Sequence, residues 1–266
     1  MTSIEITNSV TSIGSDSFSY CCSLTSVELP NSITSIESGT FANCNSLTSI
    51  NIPNSVTSIE TSAFTGCSEL ISIEIPSSVT FIGGFAFQGC NNLSSIVIPN
   101  SVTLIGNNAF RLCSSLISVE LPNSISSIYD QTFEQCSSLT SIEIPNSVTS
   151  IGYNVFSGCS SLSQITCNTI EPPLCNSTSF SEYTADLYVP TESIDLYKSA
   201  DVWQLFSTIL PIDGSLEVEG ITADSISAYD VYDLNGRLLL STPNKDDIKN
   251  LEKGIYIING EKYVIR

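Results

Sequence analysis

The amino-acid sequence predicts a mainly β solenoid of 23-residue repeats, and three observations support this fold class. Proline, phenylalanine and cysteine each recur with a period of 23 through most of the first 167 residues. A short alternation of apolar and polar residues accompanies each repeat, and the periodicity ends near Cys167. Strict periods of this length are typical of solenoids, in which each unit buries its apolar side against the next.

The three periodic residue types define columns that we expect to stack, with Phe on Phe and Cys on Cys. Because neighbouring strands lie about 4.8 Å apart, seven repeats would form a stack on the order of 30 Å long. The columns are Pro30, Pro53, Pro76, Pro99, Pro122 and Pro145; Phe18, Phe41, Phe64, Phe87, Phe110, Phe133 and Phe156; and Cys21, Cys44, Cys67, Cys90, Cys113, Cys136 and Cys159.

Each repeat contains one clear strand signal, for which the stretch "SIEIP" ending at Pro145 is the example. Ile142 and Ile144 point to one side and the intervening polar residues to the other, which is the pattern of a half-buried strand. Pro145 should end this strand because proline cannot donate to the hydrogen-bond ladder. A second short apolar stretch follows at Val148 to Ile151.

The periodicity divides the chain into three predicted parts: residues 1–167 form the solenoid of about seven repeats, 168–212 cap it, and 213–266 form a small β domain. A solenoid needs an atypical end unit to cover its last apolar layer, and Trp203 is the candidate for this role. Apolar residues at helical spacing predict a helical face in the cap. They are Ile194, Tyr197, Val202, Phe206 and Ile209.

The predicted C-terminal domain alternates like strands in "ISAYDVYDLNGRLLLS" and "KGIYIINGEKYVIR". Each stretch carries an Asn-Gly pair, which is the strongest short-range signal for a β-hairpin turn. We therefore predict hairpins that turn at residues 235–236 and 259–260.

The charge balance excludes several classes of partner. The chain carries 27 acidic and 8 basic residues, for a formal charge of −19. Nucleic acids and anionic membrane surfaces both require a positive face, so neither is an expected partner. No apolar run approaches the roughly 20 residues that a transmembrane helix needs.

The residue types also argue against an enzyme. There is no histidine in the sequence, so the commonest general base and the favoured metal ligand are missing, and Ser–His and Cys–His pairs are impossible. Neither a glycine-rich phosphate loop nor closely paired metal ligands such as C-x₂-C are found. We predict no catalytic residue, no cofactor and no metal.

The periodic cysteines are interpreted as buried free thiols that pack as small hydrophobes. Stacked neighbours would keep their Cβ atoms near 4.8 Å apart, whereas a disulfide needs roughly 3.8 Å. Three cysteines leave the column: Cys22, Cys167 and Cys175. A bridge between Cys167 and Cys175 stays open as an alternative in an oxidising compartment.

Two outward columns of the predicted strands form the candidate interaction face. One is acidic and is interrupted by Asn51 and Val97, and the other is serine. The acidic column could be a solvated face, or it could bind a cation or a basic partner. The candidate residues are Glu5, Glu28, Glu74, Glu120 and Glu143, with Ser26, Ser49, Ser72, Ser118 and Ser141.

A threonine column is a further polar feature of the repeats. Its hydroxyl groups are expected to bond the local backbone along a solvated edge, although regular hydroxyl arrays can also bind glycans. The column consists of Thr11, Thr34, Thr57, Thr80, Thr103 and Thr149, with Ser126 in place of one threonine.

The repeat resembles the BspA-like leucine-rich repeat family of bacterial and protist surface proteins. The resemblance rests on "CSSLTSIEIPNSVTSIGYNVFSGC", from Cys136 to Cys159, and on six near copies within residues 1–167. It implies a leucine-rich-repeat solenoid that is exported, associated with the cell surface, non-catalytic and adhesive, with a protein or glycan of the host or extracellular matrix as partner. The family provides no ligand-contacting residue that can be transferred to this chain.

The C-terminal stretch "VYDLNGR…KGIYIINGEKYVIR" is similar to the C-terminal domains of many exported Bacteroidetes proteins, some of which direct secretion and surface attachment. A small packing module that ends the chain is the alternative. Met1 occupies the repeat position of Leu24 and Leu47, and no signal peptide is visible. We therefore expect the export signal of an extracellular or cell-surface protein to be missing from this chain.

The functional prediction is a non-catalytic adhesion or protein-interaction module that uses the solenoid face. Solenoids expose large, regular surfaces, which suit binding of an extended partner. The alternative is a rigid architectural spacer that holds another domain and has no ligand of its own.

Overall fold

A computed structural model describes residues 2–212, 230–233, 237–241, 254–258 and 261–265 of the chain. Parallel stacking of short strands with the predicted 23-residue offset dominates it, which confirms the mainly β solenoid. Met1 lies outside the described residues.

The first strand column contains the predicted "SIEIP"-type strands. Ser3 pairs with Ser26, Ser95 with Ser118, and Ser141 with Gln164, each in parallel. The strand in "SIEIP" ends at Ile144, directly before the proline, as predicted. The strands are Ser3–Glu5, Ser26–Glu28, Ser95–Val97, Ser118–Glu120, Ser141–Ile144, Gln164–Cys167, Asp186–Val189 and Thr208–Pro211.

A second strand column follows the turn after the repeat proline, which reads Pro-Asn-Ser in most repeats and Pro-Ser-Ser at Pro76. Its members are two residues long and pair in parallel with the same 23-residue offset, for example Ser35 with Ser58. Within each two-residue strand, the first side chain is half-buried and the second is buried. The strands are Ser35–Ile36, Ser58–Ile59, Phe81–Ile82, Leu104–Ile105, Ser127–Ile128 and Ser150–Ile151.

The core is built from columns of identical or similar side chains. From Phe18 to Phe180, successive phenylalanine rings stack nearly parallel with centroids 5.3–5.9 Å apart. The rings of Phe64, Phe87 and Phe110 are fully buried. Offset stacking at this separation is a favourable arrangement of aromatic rings, so each repeat adds one ring to a continuous ladder, as the period predicts.

The loop that carries each phenylalanine is also a ladder. The amide of Phe64 donates to the carbonyl of Ala86, and the amide of Phe87 donates to that of Ala109, both at 2.8 Å. Each loop contains residues with a left-handed backbone, such as Phe85 with φ 59° and Leu112 with φ 64°. Backbone groups that the short strands leave free are therefore paired between layers.

Parallel stacking continues beyond Cys167, through the segment predicted to cap the solenoid. Gln164–Cys167 pairs with Asp186–Val189, which pairs in turn with Thr208–Pro211. A short α-helix, Ile194–Ser199, and 3₁₀ turns at Thr191–Ser193 and Trp203–Leu205 connect the last two strands.

The predicted helical face of the cap is confirmed for Ile194 and Tyr197 and is wrong for the other three residues. Val202 has φ 70° and Phe206 is extended, one on each side of the 3₁₀ turn. Ile209 lies in the strand Thr208–Pro211 and pairs with Leu187. A spacing of three to four residues fits both a helix and two short elements in succession, and strand pairing decided between them here. Trp203, the candidate for covering the last apolar layer, is buried. Its ring contacts Phe180 and Phe206, and its Nε1–H donates to the Pro173 carbonyl at 2.8 Å.

The C-terminal part contains four antiparallel strands: Val231–Asp233, Leu238–Leu240, Gly254–Ile258 and Glu261–Ile265. Val231–Asp233 pairs with both Leu238–Leu240 and Gly254–Ile258, and the last two strands pair with each other. The predicted hairpin turns at residues 235–236 and 259–260 lie outside the described residues.

Candidate interaction surface

The outward side of the first strand column carries the predicted serine and glutamate columns, and we call it the strand face. Its serine column includes Ser26, Ser49, Ser72, Ser118 and Ser141, and its glutamate column includes Glu5, Glu28, Glu74, Glu120 and Glu143; all ten are exposed. The inward residues between them, such as Val27 and Ile142, are buried in the core. The alternation of each strand therefore brings the ten predicted residues onto one face.

The glutamate column has the interruptions that the sequence indicates. Glu5 pairs with Glu28, whereas Asn51 pairs with Glu74 and Val97 with Glu120. Because like charges at directly opposed sheet positions repel, Asn51 and Val97 lower the repulsion along the column.

The strand face lies in an acidic field. Before residue 213 the sequence has only two basic residues, Arg111 and Lys198. The guanidinium of Arg111 forms an ion pair with Glu134, in the loop column that follows the phenylalanine column. Negative charge on the strand face is consequently left without a cationic neighbour from the described repeats.

The exposed isoleucines of the strand face are the feature that the sequence interpretation missed, although it placed Val97 in the outward glutamate column. Ile71, Val97 and Ile117 are 54%, 58% and 53% exposed. Ile71 and Ile117 stand in one column, one residue before the serine column, where Thr48 and Ser94 occupy the neighbouring layers. The available signal was isoleucine in place of threonine after the leucine in two repeats, which read "LISI" from Leu70 and "LISV" from Leu116.

Two shallow depressions open on this face beside the glutamate column. Ser72, Glu74, Ser95, Val97 and Pro99 line one of them. The second lies two layers further along. Its lining includes the two exposed carboxylates of Glu120 and Glu143.

The threonine column behaves as predicted for a locally bonded edge. The hydroxyl groups of Thr57, Thr80, Thr103 and Thr149 each donate to the carbonyl of the equivalent residue in the preceding repeat, at 3.1–3.3 Å. These hydroxyls already have acceptors, which leaves them less available to a glycan.

The ten cysteines of the chain are free thiols in the structure. From Cys44 to Cys159, each Sγ–H of the column donates to the phenylalanine carbonyl of the preceding repeat, for example Cys90 to Phe64 at 3.3 Å and Cys113 to Phe87 at 3.2 Å. Sequence reasoning predicted the apolar packing but not this second hydrogen-bonded ladder, which becomes visible only when the loop backbone is placed.

Burial makes the column thiols poor nucleophiles. Desolvation, together with the neighbouring column thiol, raises the pKa of Cys44 to about 11 and the pKa of Cys90 well above its usual value. Desolvation raises the pKa of Cys159 to about 12. Because the thiolate is the reactive form, these cysteines cannot supply a nucleophile near neutral pH.

Cys167 and Cys175 leave the column, as their sequence spacing indicated. The Tyr197 hydroxyl donates to the Cys167 Sγ at 3.2 Å and also contacts Thr169, so Cys167 belongs to a buried polar cluster in the C-terminal layers. Desolvation raises the pKa of Cys175 to about 12. Within the residues that the structure describes, no group of three or more Cys, Asp or Glu side chains could hold a metal ion.

A small cavity lies where the phenylalanine and cysteine columns approach the irregular C-terminal layers. Its volume is about 190 Å³, and its walls include Phe156, Cys159, Leu162 and Phe180. Glu182 also lines the cavity and stands 23 residues after Cys159, where a regular repeat would place the next cysteine. The cavity therefore marks the loss of the 23-residue register.

Comparison with known proteins assigns the repeats. The family model described as "BspA type Leucine rich repeat region (6 copies)" matches residues 1–114 and 80–187. The chain belongs to the BspA-type leucine-rich repeat family. The match extends past Cys167, in agreement with the continued parallel stacking.

Solved leucine-rich repeat structures from bacteria are similar to this BspA-type chain. A leucine-rich repeat protein of T. pallidum is 32% identical with a TM-score of 0.55, over 60% of this chain and 77% of that chain. A leucine-rich repeat protein of Bacteroides ovatus is 27% identical with a TM-score of 0.52, over 71% of this chain and 63% of that chain. No curated protein is detectably similar.

The BspA-type repeat fold is consistent with a protein-interaction module. Among the described residues, no helix is both long enough and apolar enough to cross a membrane.

Proposed function

We propose that the chain is a non-catalytic protein-interaction module that binds its partner through the strand face, and that it acts in adhesion as a secreted or cell-surface protein. Leucine-rich repeat proteins generally bind other proteins, and the relatives implied by the sequence resemblance are adhesive. The partner class is a protein or glycan of a host or extracellular matrix.

The observation that carries this proposal is the combination of exposed apolar and acidic side chains on the strand face. Ile71, Val97 and Ile117 are more than half exposed, although neighbouring repeats carry polar residues at the same positions. Exposed apolar groups rimmed by polar residues are typical of interaction sites.

The absence of catalytic chemistry rests on residue types and on burial. The sequence has no histidine, and burial raises the pKa values of the column thiols Cys67, Cys113 and Cys136. A screen of hydrolase substrates should therefore show no turnover, and reproducible turnover by the purified chain would contradict this part of the proposal.

Binding to a panel of matrix proteins and glycans tests the adhesive role. The double variant Ile71→Thr, Ile117→Ser introduces the residues that occupy the same column at Thr48 and Ser94, so the fold should be retained. We expect saturable binding of at least one protein of the panel, and a loss of at least tenfold in affinity for the variant.

Tyr153→Ser provides the matched control, because Tyr153 is 62% exposed in a loop column away from the strand face. Equal affinities of the unmodified chain, the double variant and the Tyr153→Ser control would contradict binding through the strand face.

A rigid spacer is the second candidate function, and the continuous phenylalanine ladder favours it. Seven ring-to-ring contacts connect Phe18 to Phe180 without interruption. Silence of the chain across the whole panel would favour the spacer over the adhesive module.

A further inference from the structure

We propose that the partner of the strand face is a basic amphipathic α-helix of another protein, which lies along the stacking direction of the repeats. This inference rests on the proposed function, because it names the partner of the same surface. Two observations carry it: the distribution of exposed apolar and acidic side chains over two columns of the strand face, and the spacing of the layers.

On the strand face, the serine column separates two columns that carry larger side chains. Ser72, Ser95 and Ser118 are exposed and small. Ile71 and Ile117 stand on one side of them, and Glu74, Val97 and Glu120 stand on the other. Three residues of extended chain separate Ile71 from Glu74, which places the two columns about 10 Å apart. An α-helix has a diameter of roughly 10–12 Å with its side chains, so one helix lying on this face can contact both columns.

The side chains of these two columns define the chemistry of the partner. The apolar groups of Ile71 and Ile117 require apolar residues on one stripe of the helix. The second side places Val97 between the carboxylates of Glu74 and Glu120, and Glu143 follows one layer later. Since the described repeats supply no cation to the glutamate column, basic residues of the partner are the complementary groups.

Layer spacing distinguishes a helix from an extended peptide. Strand layers are about 4.8 Å apart, so Val97, Glu120 and Glu143 lie about 5, 10 and 14 Å from Glu74 along the stack. Helical residues at i+3, i+7 and i+10 lie about 4.5, 10.5 and 15 Å from residue i, on one stripe. In an extended peptide, side chains on the same side are roughly 6.6 Å apart. This distance matches neither the spacing of one layer nor that of two layers.

The expected partner segment therefore has Lys or Arg at i, i+7 and i+10, an apolar residue at i+3, and a second apolar stripe beside these positions. Asn51 and Glu143 are four layers apart, a distance of about 19 Å. A helix of roughly 13 residues spans this distance.

Synthetic peptides test the inference directly. The first peptide has 16 residues in the helical pattern just described. The second has the same composition in shuffled order, and the third carries a proline at the centre of the first. Fluorescence anisotropy with the whole chain at low and at moderate salt should show binding of the first peptide at least tenfold tighter than that of the other two, with affinity falling as salt rises.

Two double variants use residues that neighbouring repeats already place in the same columns. Ile71→Thr with Ile117→Ser removes apolar contacts, and it should lower the affinity of the chain for the first peptide at least fivefold at both salt concentrations. Glu74→Asn with Glu120→Val removes two charges, and it should weaken binding mainly at low salt and flatten the salt dependence. Glu60→Gln, in the loop column, is the charge control and should leave affinity unchanged.

Equal affinity of the shuffled or proline-containing peptide, or no binding of the first peptide, overturns the helical partner. The proposed function is judged separately by the matrix panel. If panel binding depends on Ile71 and Ile117 while the first peptide fails to bind, the strand face stands as the interaction surface and only the helical partner falls. If neither depends on these residues, both proposals fall.

Discussion

Gly83 shows, at the scale of one residue, how closely successive layers approach on the loop side. A Cβ atom at this position would lie 2.5 Å from the Thr61 nitrogen and 2.7 Å from the Glu60 carbonyl carbon of the preceding layer. Both neighbours are backbone atoms that are tied into the interlayer ladder, so they cannot move freely. The glycine is needed here for space and not for an unusual backbone conformation.

Gly83→Ala is accordingly expected to destabilise the fold by about 1–3 kcal/mol, the usual cost of an overpacked position. Gly14→Ala is the matched control because Gly14 is in the same column, and a Cβ there would meet only Ser17 Oγ, at 3.6 Å. Urea unfolding at neutral pH measures both. A loss at Gly14 as large as that at Gly83 would show that something other than layer contact is responsible.

Two phenylalanines of one repeat have opposite roles, although they are only two residues apart. Phe87 is fully buried between Phe64 and Phe110, with ring centroids 5.4 and 5.3 Å away. Phe85 is 38% exposed and adopts φ 59°, at the position where Gly39 stands two repeats earlier. The left-handed backbone is unfavourable for a bulky residue, so Phe85 is tolerated there and not required.

Phe87→Ala should lower the free energy of unfolding by about 3–5 kcal/mol, because it removes one ring from a close-packed ladder. Phe85→Gly should change it by less than about 1 kcal/mol, since relief of backbone strain offsets the greater freedom of glycine in the unfolded chain. Thermal and urea unfolding of the two variants provide the comparison. Similar losses for both would contradict the assignment of the core.

At the scale of one element, the cysteine column couples stability to pH. Desolvation raises the folded-state pKa of each buried column thiol, to about 11 for Cys44 and about 12 for Cys159. The pKa of a cysteine thiol in the unfolded chain is about 8.5. Above that pH the unfolded chain loses protons that the folded chain keeps, so the stabilisation is complete below pH ~8.5 and declines as pH rises.

Each such thiol should contribute a decline of about 1.4 kcal/mol per pH unit above pH ~9. The free energy of unfolding, measured by urea titration at pH 7, 9 and 10 under reducing conditions, should therefore fall steeply over the alkaline range. Cys113→Ala removes one titrating group, so the decline of the free energy of unfolding with pH should be reduced by the contribution of one thiol. A slope that is unchanged in this variant would refute the linkage.

The success of the sequence prediction also differs from element to element. The phenylalanine, cysteine, proline and glutamate columns could be predicted because a fixed period forces equivalent residues to share an environment. Ile209 was misassigned because its spacing from Phe206 suits a helix as well as a strand that follows a short turn. The column of Ile71 and Ile117 was overlooked because an exposed position tolerates both threonine and isoleucine, so that period alone does not reveal which side chains are available to a partner.

At the scale of the whole molecule, the repeat array is a one-dimensional stack in which each layer contacts only its neighbours. The hydrogen-bond registers of the two strand columns and the loop ladder all have an offset of one period. Stability should consequently depend on how many intact layers the stack contains and on whether they are in phase. The identity of any one internal layer should matter much less.

Removal of one complete period tests this property. Deletion of residues 78–100 joins Ser77 to Ser101 and leaves every later residue in phase, so the shortened chain should fold cooperatively with a moderately lower Tm. Deletion of residues 78–97 removes fewer residues but shifts all later columns by three positions, which sets apolar side chains against polar ones. This second chain should lose cooperative folding, as judged by circular dichroism and by the emission of Trp203, the single tryptophan. If the in-phase deletion unfolds as completely as the out-of-phase deletion, the layers are not interchangeable and the stack depends on particular repeats.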